Sequence, residues 1–175
     1  RIRNKEKSFL PGLIIVGSYV ELSTIQLKNL LELSNCKPVE LDVFQFFKIT
    51  ASEDNKKQRN LFKNKFLKEI RFAFEKGKTP VLFTSRKFMT LDYSEQFNFY
   101  NSLASFIAEL VADLKYEIGY LISKGGITTN LILSNGLNAD YVYLEGQILT
   151  GISVVTYDLK NGEKLPIVTH PGNIG

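Results

Sequence analysis

Three short glycine-containing stretches each follow an apolar run. Gly17-Ser18 follows Leu13 to Val16, Lys124-Gly125-Gly126-Ile127-Thr128 follows Tyr120 to Ser123, and Gly172 to Gly175 follows Ile167 to Thr169. Glycine lets a backbone come close to a ligand because no Cβ stands in the way. A helix opening directly after such a turn offers unpaired N–H groups and the positive end of its dipole, which suits phosphate. Gly125 to Thr128 is the best of the three: the Thr128 hydroxyl can donate to a phosphate oxygen, and the Lys124 ammonium is adjacent. Each turn is weak evidence alone. Neither G-x-x-x-x-G-K-[ST] nor G-x-G-x-x-G occurs, so the two best-known phosphate fingerprints are missing. His170 is the single histidine and Cys36 the single cysteine, which excludes a His–His zinc site, a cysteine metal cluster and an intrachain disulfide. With Pro171 beside it, His170 reads as a surface or packing residue before a catalyst. No general-base histidine or paired carboxylate stands out.

The elements that must hold these turns follow from hydrophobic patterning. Leu13 to Val16 is a continuous apolar run, which suits a strand buried on both faces. Ser23 with Gln26 matches a capping box, opening a helix whose face carries Leu27, Leu30, Leu31 and Ser34. Val39 to Val43 is a predicted second strand, and Phe44 to Ile49 is ambiguous. A long helix is expected after Ser52, with Phe62, Phe66, Ile70 and Ala73 on its apolar face and Gly77 as its stop. Val81 to Ser85 is a third strand, Phe97 to Leu114 a second long helix, and Tyr120 to Ser123 a fourth strand. A short helix is expected over Thr129 to Asn135, then strands at Tyr141 to Leu144, Ile152 to Tyr157 and Ile167 to Thr169, with an Asn161-Gly162 hairpin turn. The fold class expected is α/β: a three-layer domain over residues 1–175, with a central, largely parallel sheet extended by antiparallel C-terminal strands.

Composition sets outer bounds. The chain has 175 residues, 44% hydrophobic and 23% charged, the profile of a single globular domain. The longest apolar run, Leu10 to Val16, is too short to span a bilayer. The basic start, Arg1 to Lys7, has no A-x-A cleavage site after it, so a cytoplasmic protein without membrane association is expected. Net charge is +4, and much of the excess sits in Lys56, Lys57, Arg59, Lys63, Lys65, Lys68 and Arg71. These residues read as a solvated helix face. The rival reading, a nucleic-acid patch, is weakened by the interspersed Glu53, Asp54 and Glu69.

The order of the motifs carries a family resemblance. Leu10-Pro11-Gly12 through Gly17-Ser18, with Ser23-Thr24 and Gln26, resembles the opening of the C-terminal nucleotide-binding domain of the four-carbon acid sugar kinases. Thr84-Ser85-Arg86, Lys124 to Thr128, Gly146 to Gly151 and Pro171 to Gly175 are similar to later motifs of that domain, in the same order. The resemblance implies the ATP-binding half of an enzyme that, with Mg²⁺, phosphorylates four-carbon sugar acids of the 3-oxo-tetronate, erythronate or threonate type. It implies nucleotide contacts at Ser18, Lys124, Gly125, Gly126, Ile127, Thr128, Gly172 and Asn173. It also implies a separate N-terminal domain, in cis or as another chain, that holds the sugar acid and supplies the catalytic base; a homodimer is left open. The alternatives are a non-catalytic nucleotide-binding module and, behind it, a nucleic-acid-binding α/β domain.

Overall fold

The computed structural model describes residues 10–51, 55–86 and 92–174. The basic start, the helix-opening Ser52 and the final Gly175 lie outside the described residues. Seven strands form one sheet, and its middle is built where the sequence is most continuously apolar. They are β1 (Gly12–Val16), β2 (Cys36–Leu41), β3 (Thr79–Thr84), β4 (Tyr120–Lys124), β5 (Tyr143–Leu149), β6 (Ile152–Asp158) and β7 (Lys164–His170). Their spatial order is β2-β3-β1-β4-β7-β6-β5. β2, β3, β1, β4 and β7 run parallel, and β6 and β5 are antiparallel additions. The last strand of the chain therefore departs from the expected antiparallel extension. β7 inserts beside β4 and pairs with it in parallel, carrying the closing segment to the same edge as the other strand ends.

The helices are α1 (Glu21–Leu31), α2 (Val43–Thr50), α3 (Asn55–Glu75), α4 (Tyr93–Leu114) and α5 (Gly126–Leu131), the last running on as a π-helical turn to Gly136. The ambiguous stretch after β2 is a helix because Asp42 caps it: its carboxylate accepts the N–H groups of Phe44 and Gln45 at 2.8 and 3.0 Å. That cap places Val43, Phe46 and Ile49 on a buried stripe. The capping box expected at Ser23 and Gln26 is not there. α1 starts earlier, after Val20, with no side-chain cap, and the reciprocal pair is found instead at Asp92 and Glu95, ahead of α4. α5 begins at Gly126, three residues before the expected short helix.

The sheet separates two apolar clusters. On one face α1 covers Ile14, Val16, Val81 and Phe83 with Leu27. On the other, Leu13, Ile15, Leu82, Leu121 and Ile167 pack against α2, α3 and α4, where Phe46, Phe62, Phe66, Phe99 and Phe106 interlock. Phe46 has three ring neighbours, Phe62, Phe99 and Phe106, with centroids 5.1 to 6.4 Å away. Full burial of each such side chain contributes about 1.5–3 kcal/mol. Because crossovers between parallel strands are right-handed, the chain leaves β1 toward one face and leaves β3 and β4 toward the other. The carboxyl ends of these strands border a crevice, the place where open α/β sheets bind ligands.

Candidate functional site

The three glycine turns meet at this edge. The N–H groups of Gly17 and Ser18 both donate to the Lys124 carbonyl, at 3.0 and 3.3 Å, and the Gly125 N–H donates to the His170 carbonyl at 2.9 Å. The packing leaves no room for larger residues: a Cβ on Gly17 would strike Thr128, and one on Gly172 would strike Ser18. Gly125 has φ +120°, and a Cβ there would lie 3.0 Å from the Ser18 nitrogen, so glycine is required on both counts. Gly126 is different. A Cβ at this position meets nothing within 4 Å, so the backbone there faces open space.

The closing segment is tied down by buried polar side chains. Lys124 is only 6% exposed. Its ammonium donates to the carbonyls of Pro171 and Ile174 at 3.0 and 3.2 Å and lies 3.1 Å from Nδ1 of His170. Nδ1 also lies 2.8 Å from the Pro171 carbonyl. It can accept from Lys124 or donate to that carbonyl, but not both at once. Burial holds the Lys124 ammonium below its ordinary pKa. Ser23, fully buried, donates its single proton to the Gly172 carbonyl at 2.8 Å, which leaves its oxygen to accept from the Ser18 hydroxyl 3.0 Å away, and Gln26 donates to the Ile174 carbonyl at 3.3 Å. The two residues that resembled a capping box are thus spent on holding the segment after β7.

Two cavities continue the crevice on the β3 side. One, about 210 Å³, is walled by Gly17, Tyr19, Phe97, Tyr100, Ile127 and Thr128 among others. The other, about 270 Å³, is walled by Tyr19, Thr24, Val43, Ser85, Arg86 and Tyr100 among others. Tyr19 and Tyr100 stack with centroids 5.1 Å apart and belong to both walls. Arg86 donates through Nη1 to the Ser18 carbonyl at 2.7 Å. Burial holds its guanidinium below the usual arginine pKa, an effect that Glu40 partly offsets.

Residues 13–175 match the family described as the nucleotide-binding C-terminal domain. The chain belongs to that family. Its fold is shared by solved proteins of the DUF1537 group. One, from Bordetella bronchiseptica, was solved with bound citrate as a domain-swapped dimer. It is 20% identical at a TM-score of 0.70, with 97% of this chain and 39% of that one covered. A second crystal form of it gives 19% identity and a TM-score of 0.62, over 97% of this chain and 37% of that one. A Haemophilus influenzae protein of the same group is 18% identical at a TM-score of 0.71, over 99% of this chain and 40% of that one. The chain therefore spans about two fifths of the length of the solved proteins it resembles. No curated protein matches the sequence.

Within this nucleotide-binding domain the expected contacts separate into groups. Gly125 and Gly172 both close on Ser18, and Thr128 packs under Gly17. Ile127 is 57% exposed at a cavity mouth, and Asn173 is exposed beside Gly172. The amide expected of Gly125 as a phosphate donor is already engaged by His170, which leaves Gly126, Ile127 and Thr128 as the first-turn amides of α5 without an intrahelical acceptor. Lys124 lies inside the turn, its protons directed at the closing segment, away from the open side. Arg86, Ser23, Gln26 and the Tyr19–Tyr100 pair are the residues that reasoning from sequence left out of the site. Ser23 and Gln26 carried a local signal that pointed to the wrong partner. Tyr19 and Tyr100 are 81 positions apart and carried none.

Proposed function

We propose that this domain is the ATP-binding half of a carbohydrate kinase acting on four-carbon sugar acids of the 3-oxo-tetronate, erythronate or threonate type. The observation that carries the reading is the convergence of three glycine turns on Ser18, beside an amide row at Gly126 to Thr128 that opens into a crevice. Triphosphate recognition depends on positioned amides and close backbone approach, and this edge supplies both.

The residues present fit such a ligand. The open space over Gly126 admits a phosphate. The amides of Gly126, Ile127 and Thr128 would orient it, with the Ser18 hydroxyl on the facing turn. The aromatic and apolar cavity of Tyr19, Phe97, Tyr100 and Ile127 would take the nucleoside. Lys124 would act by fixing the closing segment. When bound, ATP with Mg²⁺ supplies the phosphoryl group that passes to a sugar hydroxyl. Among the described residues no cluster of three His, Cys, Asp or Glu is placed to hold a metal. A Mg²⁺ ion would accordingly be carried mainly on the phosphates, as is usual for that ion. The sugar acid, and the base that takes its hydroxyl proton, would come with an acceptor domain in cis or on another chain, and the whole assembly would work in the cytoplasm. Among the described residues no helix is long and apolar enough to cross a membrane.

The lysine-rich helix gives little to the nucleic-acid alternative. Arg59, Lys63 and Arg71 are paired with Glu109, Asp113 and Glu117 at 2.6 to 2.9 Å, which joins α3 to α4 and its C-terminal end. The test of the nucleotide reading is Gly126→Val. The added side chain enters empty space, so thermal unfolding should match the parent, while calorimetry with MgATP should show at least a roughly tenfold loss of affinity. An intact variant with unchanged affinity removes the proposed site.

A further inference from the structure

We propose that Arg86 is a binding residue for a two-oxygen anionic group, a carboxylate or a terminal phosphate, which it grips with the Nε–H and Nη2–H edge of its guanidinium. The geometry points there from three sides. First, Nη1 is committed to the Ser18 carbonyl at 2.7 Å, which fixes the plane of the group and leaves one edge for another partner. Second, Nε and Nη2 are buried and have no hydrogen-bond partner among the described residues. These two atoms form one side of the guanidinium fork, with their N–H groups directed the same way, the arrangement that receives carboxylate or phosphate bidentately. Third, the residue walls the cavity of about 270 Å³ shared with Thr24, Ser85 and the Tyr19–Tyr100 stack.

The same chain shows what a filled fork looks like. Arg71 uses this edge on Glu117, with Nε to Oε2 at 2.9 Å and Nη2 to Oε1 at 2.7 Å. Arg71 is a surface residue with an acidic partner; Arg86 is a half-buried one without an ion pair among the described residues. Glu21 shares the cavity wall, and Glu40 acts on Arg86 through space. A buried, unpaired cationic fork is costly, and an incoming oxyanion satisfies both donors and the charge together. Its tie to Ser18 places it one hydrogen bond from the glycine turns, so it extends the nucleotide reading of this edge and adds to it an anion subsite on the β3 side.

The experiment is an NMR titration of the 175-residue chain that follows the Arg86 Nε–H signal, with inorganic phosphate, adenosine, ADP, ATP and erythronate as probes. It is repeated for affinity on Arg86→Lys, which keeps the charge and loses the fork. A terminal phosphate as the ligand predicts that ATP moves the signal while adenosine does not, and that Arg86→Lys binds ATP roughly tenfold or more weakly with adenosine affinity unchanged. A carboxylate predicts that erythronate moves the signal and loses affinity by the same factor, with ATP unaffected. If phosphate, ATP and erythronate all leave the signal in place and Arg86→Lys binds them as the parent does, the proposal is overturned and Arg86 only anchors Ser18. The nucleotide reading fails separately: it is lost if ATP leaves the Gly126 to Thr128 amides unmoved, while phosphate and erythronate still decide the role of Arg86.

Discussion

A buried lysine at the end of a strand next to two glycines invites assignment as a phosphate ligand, but the surroundings of Lys124 give it another task. Its ammonium serves the carbonyls of Pro171 and Ile174, so it holds the segment after β7 as a wall of the crevice. Burial lowers its pKa below the ordinary value of about 10.4. The consequence for stability has a definite sign. Between the lowered native value and about 10.4 the unfolded chain binds more protons at this group than the native chain does, so its contribution to unfolding free energy rises with pH. Urea unfolding of the parent and of Lys124→Met at a series of alkaline pH values isolates it. The advantage of the parent over the variant should widen as pH climbs toward about 10.4 and level off above it. An advantage that stays flat or narrows across that window contradicts the assignment of Lys124 as a desolvated cation.

At the level of elements, what could be read was what is encoded locally. The apolar runs at Leu13 to Val16, Val81 to Ser85 and Tyr120 to Ser123 marked three parallel strands because strands buried on both faces need no alternation. The stripe through Phe62, Phe66 and Ile70 and the one through Leu103, Phe106, Ile107 and Leu110 marked the two long helices for the equally local reason of 3.6-residue spacing. Harder to read was anything set by partners distant in sequence. Ser23 and Gln26 fit a capping template, but their acceptors are the carbonyls of Gly172 and Ile174, almost 150 residues on. β7 lies between β4 and β6, a placement set by partners distant in sequence that no pattern within Lys164 to His170 contains. α2 stayed ambiguous because Phe44, Phe46, Phe47 and Ile49 suit strand and helix alike, so the decision falls to Asp42. Asp42→Ala should therefore cost about 1 kcal/mol of unfolding free energy, the typical loss for an N-cap carboxylate. The midpoint of urea unfolding reads that change, and a shift near zero would place the origin of α2 in packing alone.

For the molecule as a whole, the order β2-β3-β1-β4-β7 turns five parallel strands into a single ligand-facing edge. Segments that the chain separates widely, Gly17-Ser18, Ser85-Arg86, Gly125 to Thr128 and Gly172 to Ile174, are coupled there by direct hydrogen bonds. These run from Ser18 to Lys124, from Arg86 to Ser18, from Ser23 to Gly172 and from Gly125 to His170. The basic helix α3 packs below the sheet face, its cations partly consumed by the acidic groups of α4. This arrangement separates the two ligand readings by where protection falls. Hydrogen exchange with saturating MgATP should slow amides in the Gly17-Ser18 and Gly125 to Thr128 segments together, with the closing segment following them through Lys124 and Ser23, while α3 is unchanged. Binding also stabilises the whole domain, by about 2.7 kcal/mol at a hundredfold excess of ligand over its dissociation constant. Protection confined to Asn55–Glu75 on adding an oligonucleotide, with none at the glycine turns on adding ATP, would transfer the functional surface to the lysine-rich helix. Protection at a single turn without the others would break the coupling that the hydrogen bonds between these loops require.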